Sequence, residues 1–245
     1  MNNIGRETRM AELFEELAEL RAQFMIESAI DGFGMDWEEA LDLLRAKNKG
    51  LTIQDKEKRD ILVAAVDNLI EFAVAAEFQV IDNCIGADGE VDESIFEKYN
   101  DVYAEVEAAD ASYAMAVAAA WVHYANTSIL TYMTQGDDRV RPWHLALEGI
   151  SYPKSDFPDW LIPPIEHRCR CYLVEEVLGA HTDEILCKAD EKIKMPSWMN
   201  PTFSESVCKG GRIFSLSHPY FDIPEDKQKA ISRITRKIQK KWRNK

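Results

Sequence analysis

The segment Asp137-Asp138-Arg139-Val140-Arg141-Pro142-Trp143-His144, followed by Gly149, Pro163-Pro164 and His167-Arg168-Cys169-Arg170-Cys171, divides this chain into two kinds of sequence. Before it, helical hydrophobic periods follow one another. Within it no such period survives, and prolines, aromatics and arginines crowd around two cysteines. Cysteines at i and i+2 share one face of an extended chain, and neighbours this close are badly placed to form a disulfide with each other. Two thiols with imidazoles nearby are the start of a tetrahedral zinc site. The candidate ligands of a structural zinc are therefore His144, His167, Cys169 and Cys171. In the alternative reading His144 hydrogen-bonds an acid and the thiols pack as small apolar groups.

Upstream, Leu13, Leu17, Leu20 and Phe24 recur at helical spacing with Glu12, Glu15, Glu16 and Glu19 on the other side. This predicts an amphipathic helix with the leucine stripe in the core. Asp36 is a good N-cap for a short helix carrying Trp37, Leu41 and Leu44. A long helix is predicted from about Gln54 to Asn83, with Ile61, Ala65, Leu69, Phe72, Ala76 and Val80 along one stripe. An alanine-rich helix from about Ala108 to Met133 is expected at the centre of the bundle, because alanine lets backbones approach closely. The run from Asp88 to Glu93 echoes half of a calcium loop, but Cys84, Gly86 and Ile95 stand where oxygen ligands are needed, so calcium is rejected.

Downstream, Arg170 to Val174 reads as a short strand, and the chain stays irregular until a last helix begins near Pro224. Ile231, Ile234, Ile238 and Trp242 give that helix one apolar stripe among lysines and arginines. The expected fold is mainly α: an N-terminal helical bundle, a small α+β, loop-rich module with a C-R-C strand, and a C-terminal basic helix. The segments are 1–134 (acidic bundle), 135–180 (the motif module) and 181–245 (irregular, ending in the basic helix).

With 46% hydrophobic and 29% charged residues the chain is neither disordered nor fibrous. No apolar run approaches a membrane span, and the first residues lack the layout of a signal peptide. Five cysteines, an odd number, fit a reduced compartment better than a disulfide framework. The net charge of −14 is divided unevenly: residues 1–120 hold 27 acids and 10 bases, and nine bases with no acid follow from Lys227 onward. DNA or an acidic partner is thus expected at the last helix, through Arg233, Arg236, Lys237, Lys240 and Lys241. Sequence motifs of serine hydrolases, zinc proteases, P-loop and dinucleotide enzymes are absent.

The order D-D-R-x-R-P-x-H-x-x-x-x-G, then P-P and C-R-C, resembles the signature of the phage Mu F-like minor head proteins, also called phage head morphogenesis proteins. The residues that carry it are Asp137, Asp138, Arg139, Arg141, His144, Gly149, Pro163, Pro164, Cys169, Arg170 and Cys171. Family members often have C-x-x-C where this chain has Arg141 to His144, and a histidine where it has Glu166. The resemblance implies a low-copy virion protein of a tailed phage or prophage that is not an enzyme. Its role would be structural, in head assembly near the portal vertex, with passage through the host cytoplasm and ejection with the DNA. Its expected partners are the portal or other head proteins, and packaged DNA through the basic helix. Asp137, Asp138 and the arginines are read as charge pairs that fix the loop to the C-R-C strand. The alternative is a packaged nuclease or toxin-like effector enzyme built on His181 or His218.

Overall fold

The computed structural model describes residues 3–47, 49–85, 90–176 and 194–244. His181, Cys187 and the start of the acidic run at Asp88 lie outside them. The described residues form seven α-helices and a small sheet. The helices are α1 (Asn3–Gly32), α2 (Trp37–Arg45), α3 (Ile53–Cys84), α4 (Glu93–Glu97), α5 (Ala104–His123), α6 (Pro142–Leu145) and α7 (Glu225–Arg243). A π-helical turn, Lys98–Tyr103, joins α4 to α5. The strands β1 (Ile129–Met133), β2 (Ser151–Pro153) and β3 (Tyr172–Glu176) form an antiparallel sheet in the order β2-β1-β3.

Helix boundaries follow their caps. Asp36 accepts the Glu39 amide at 2.8 Å, as expected for α2. Thr52 and Asp55 close a capping box at the start of α3. The predicted helix to Met133 instead ends at His123, and Ile129–Met133 is the central strand. Pairing on both edges overrides the helical continuation there: Thr131 faces Ser151 on one side and Val174 on the other.

The first helix is corrected more deeply. Its buried face is Ala18, Ala22, Met25, Ile26, Ala29 and Ile30, whereas Leu20 and Phe24 are 65% and 49% exposed and Leu13 and Leu17 remain at the surface. Small residues let α1 lie close along both α3 and α5, so α1 rather than α5 is the helix held between two others. Gly32 makes this approach possible, since a Cβ there would stand 2.0 Å from the Ser112 carbonyl oxygen.

A single hydrophobic cluster runs from Ala18 to Trp242 and draws on segments 1–134, 135–180 and 181–245 alike. Phe72 of α3 stacks on Phe214 at 4.3 Å and meets His218 edge-on at 4.8 Å. The buried Asn68 side chain binds the amides of Ile213 and Phe214 and so fixes this returning segment. α7 packs along α3 with Ile238 and Trp242 buried, and Trp242 meets Trp37 edge-on at 5.4 Å. Across the bundle interior, Arg21 pairs with Glu77 (3.1 Å) and Glu107 (2.8 Å), and Tyr220 donates to Glu107. No helix among the described residues is long and apolar enough to cross a membrane.

Candidate metal centre

β1 delivers the chain to Gly136, whose φ of +66° turns it back toward α6. Arg141 is the N-cap of this single turn and Pro142 its first residue, which places Trp143 and His144 side by side. Gly149, at φ +83°, closes the excursion by donating its amide to the Tyr132 carbonyl at 2.9 Å. The second arm comes from the buried Pro163-Pro164, joined by a cis peptide, and from the turn Glu166 to Cys169. The C-R-C motif is the entry to β3 rather than part of the strand itself, which begins at Tyr172.

These arms bring three buried ligand groups together: His144, Cys169 and Cys171 lie with their ligand atoms within 4.8 Å of one another. His144 Nδ1 is 3.3 Å from Cys171 Sγ and 3.8 Å from Cys169 Sγ. Zinc bonds of ~2.0–2.1 Å to nitrogen and ~2.3 Å to sulfur in a tetrahedron give ligand edges of roughly 3.5 Å, close to these separations. The cluster could hold a metal ion, and its donor set fits a soft divalent cation. The Tyr132 hydroxyl, fully buried, makes no hydrogen bond of normal geometry and turns toward the Cys171 thiol.

The thiols differ in character. The hydrogen bond with Cys171 and then burial push Cys169 well up. Cys171 is held below its usual value by that same bond, assisted by the Tyr132 hydroxyl and by Arg141 and Arg170, against the cost of burial. Burial opposes a charge on His144, yet its contacts with Cys169 and Glu166 outweigh this and raise it.

Glu166, which the sequence marked only as standing in a histidine's place, organises the centre. Its Oε2 accepts from Trp143 Nε1 and His144 Nε2, each at 3.0 Å, with Arg141 Nε at 3.4 Å. Arg141, Trp143 and His144 thus converge on one carboxylate oxygen, which explains the R-P-W-H spacing. A proton held on Nε2 by Glu166 leaves Nδ1 free to face the thiols, the usual carboxylate–histidine–metal order. The missing signal was spatial: nothing local ties Glu166 to a helix twenty-two residues earlier.

His167 is corrected as a ligand. Its Nδ1 lies 2.7 Å from Asp110 Oδ2, and its ring packs edge-on against Phe203 at 5.0 Å, away from the cluster. The predicted loop pairing is present: Arg170 grips Asp137 with two bonds of 2.7 and 2.8 Å. Asp137 also accepts the Arg139 amide at 3.1 Å, while Asp138 is exposed. Arg141 donates to the His167 carbonyl at 3.0 Å.

The basic helix is more engaged than its sequence suggested. Lys237 and Lys241 both pair with Glu15, Lys241 pairs also with Glu19, and Arg243 pairs with Asp67. Arg233, Arg236 and Lys240 are exposed and form no ion pair among the described residues. His218 is buried, its ring against Phe72 and Tyr220, and burial lowers its pKa to about 4. No protein-family model, curated protein or solved structure matches this chain.

Proposed function

We propose that this chain is a minor head protein of a tailed bacteriophage, structural in role, with a zinc ion clasping its motif module. The observation that carries the reading is the fate of the motif itself. Its charged and ligand-type side chains are mostly spent on each other: Asp137 on Arg170, Arg141 and His144 on Glu166, and His144 on the two thiols. Such an arrangement holds two arms together, as an assembly module requires. Asp110 and Tyr113 of α5 tie the clasp to the bundle, through the Arg168 amide and the Cys171 carbonyl. The acidic helices would then meet portal or other head proteins, and Arg233, Arg236 and Lys240 would face packaged DNA or an acidic protein surface.

The competing reading, a packaged nuclease or effector enzyme, draws no support from His218, which is enclosed by aromatic rings. Quantitative mass spectrometry of particles purified from the encoding strain tests the proposal. A few copies per particle, cross-linking to the portal, are expected; absence from particles that contain portal and capsid protein overturns it.

A further inference from the structure

The exposed stripe of α1 is built like one side of a two-helix seam. Met10, Leu13, Leu17, Leu20 and Phe24 follow each other at steps of three, four, three and four residues, the a/d pattern of a coiled coil. All five are at the surface, from 37% exposed at Leu13 to 65% at Leu20, while the opposite face of the same helix forms the bundle core. Together they present several hundred Å² of apolar side chain, about as much as any one patch a monomer leaves to water. The stripe runs for ~21 Å along the helix, at 1.5 Å per residue.

The chemistry beside the stripe indicates what covers it. One flank of α1 carries Arg9, Glu16, Gln23 and Glu27, all exposed, and Asp31 lies farther along the stripe. A second copy of α1 laid antiparallel sets Leu17 against Leu20 and Leu13 against Phe24 in alternating layers. In that register like flanks meet: Arg9 of each copy falls between Glu27 and Asp31 of the other, and Glu16 falls opposite Gln23. A parallel copy would instead set Arg9 and Glu16 opposite Phe14 and Arg21, which give them no free partner: Phe14 is apolar, and Arg21 is already paired with Glu77 and Glu107. Among the described residues Arg9 pairs with Glu12 and Glu16 alone, in ion pairs more than half exposed. Such surface pairs exchange at little cost.

We propose that α1 is a self-association surface through which two copies of this chain pair as an antiparallel coiled coil centred between Leu17 and Leu20. The inference stands independently of the phage reading. Two stripes of this size bury on the order of 1,000 Å² in total, the lower end of specific interfaces, so the pairing is reversible.

Sedimentation equilibrium of the full chain over a micromolar concentration range tests it. The intact chain should show a reversible monomer–dimer equilibrium. Leu20→Glu should weaken it by about tenfold or more, roughly the 1.4 kcal/mol that tenfold represents. Its melting temperature should stay unchanged, because Leu20 takes no part in the core; Leu17→Ser with Leu20→Ser serves as a milder second variant. Arg9→Glu should weaken the dimer, and Glu27→Lys added to it should restore the affinity. An intact chain that stays monomeric, or a dimer indifferent to both stripe variants, overturns the proposal. Failure of Glu27→Lys to restore what Arg9→Glu removes overturns the antiparallel arrangement.

Discussion

Asp110 of α5 accepts the backbone amide of Arg168 at 2.7 Å, and Arg168 is the one non-glycine residue with positive φ (+57°) among the described residues. A left-handed arginine is unfavourable by itself, so the buried carboxylate holds the turn that aims Cys169 and Cys171. The same carboxylate binds His167, which is why that ring is withdrawn from the thiols.

Replacing the buried Asp110 by alanine removes the acceptor of the part-buried Arg168 amide and His167 ring and leaves a gap beneath the turn. A loss of about 2–4 kcal/mol in unfolding free energy is expected by denaturant titration. Arg168→Gly, which relieves the backbone, should be neutral or stabilising in the same measurement.

Purified chain should carry close to one zinc ion. Cys171→Ser should release it, and chelation should lower the melting temperature of the intact chain while leaving the variant unaffected. Elemental analysis with thermal melts decides this; metal-free protein that melts identically with and without chelator would refute it.

Glu166→Ala should keep all three ligands and still weaken the metal by roughly 10–100-fold, since His144 loses the acceptor that orients its ring. Competition against a chromogenic chelator reads the affinity. An unchanged value would mean that Glu166 only packs against Trp143.

His218 gives a pH signature. Its folded pKa of about 4 lies below the unfolded value of 6.5, the charged form being disfavoured by burial and by His167 and Arg21 nearby. Above pH 6.5 both states are neutral. As pH falls from 6.5 to 4 the unfolded chain takes up the proton first, so stability is lost across that window and the loss levels off below it. The loss is at most on the order of 3 kcal/mol. His218→Asn, which keeps an acceptor for the Tyr220 amide, should remove this part of the pH dependence in denaturation curves recorded at each pH.

Charge reversal at Arg233, Arg236 and Lys240 should reduce any binding to double-stranded DNA and lower its salt slope by about three. Titration at several salt concentrations measures this. Deleting residues 227–245 would also remove Ile238 and Trp242 from the core, so charge reversal is the variant that isolates the electrostatic contribution.

Much of the helical half was legible. The stripe from Ile61 to Val80 and the Asp36 cap follow from periodicity and side-chain chemistry that act locally. The leucine stripe of α1 misled because periodicity marks an apolar face without saying what meets it. The alanine face, less hydrophobic residue by residue, permits closer helix contact and forms the core. Ile129 to Met133 misled in the opposite way: five residues of either propensity became a strand because β2 and β3 supply partners far along the chain. At the candidate metal site, His144 and the two cysteines were visible as residue types in a motif. Glu166 and Asp110 were not, since acids are common and only the folded chain shows which of them turns inward.

The contact between Trp37 and Trp242 has a bearing on the order of folding. Two residues 205 positions apart can meet only after nearly everything between them has been synthesised. Until α7 docks, α3 keeps an apolar trough open to solvent, and Glu15 and Glu19 lack their lysine partners. Contacts so distant in sequence are made late and slowly, so the nascent chain passes through a stage in which its first helices are formed but unclosed. His144, Cys169 and Cys171 are all synthesised by then, so the candidate metal site has its full set of ligand residues before the bundle closes.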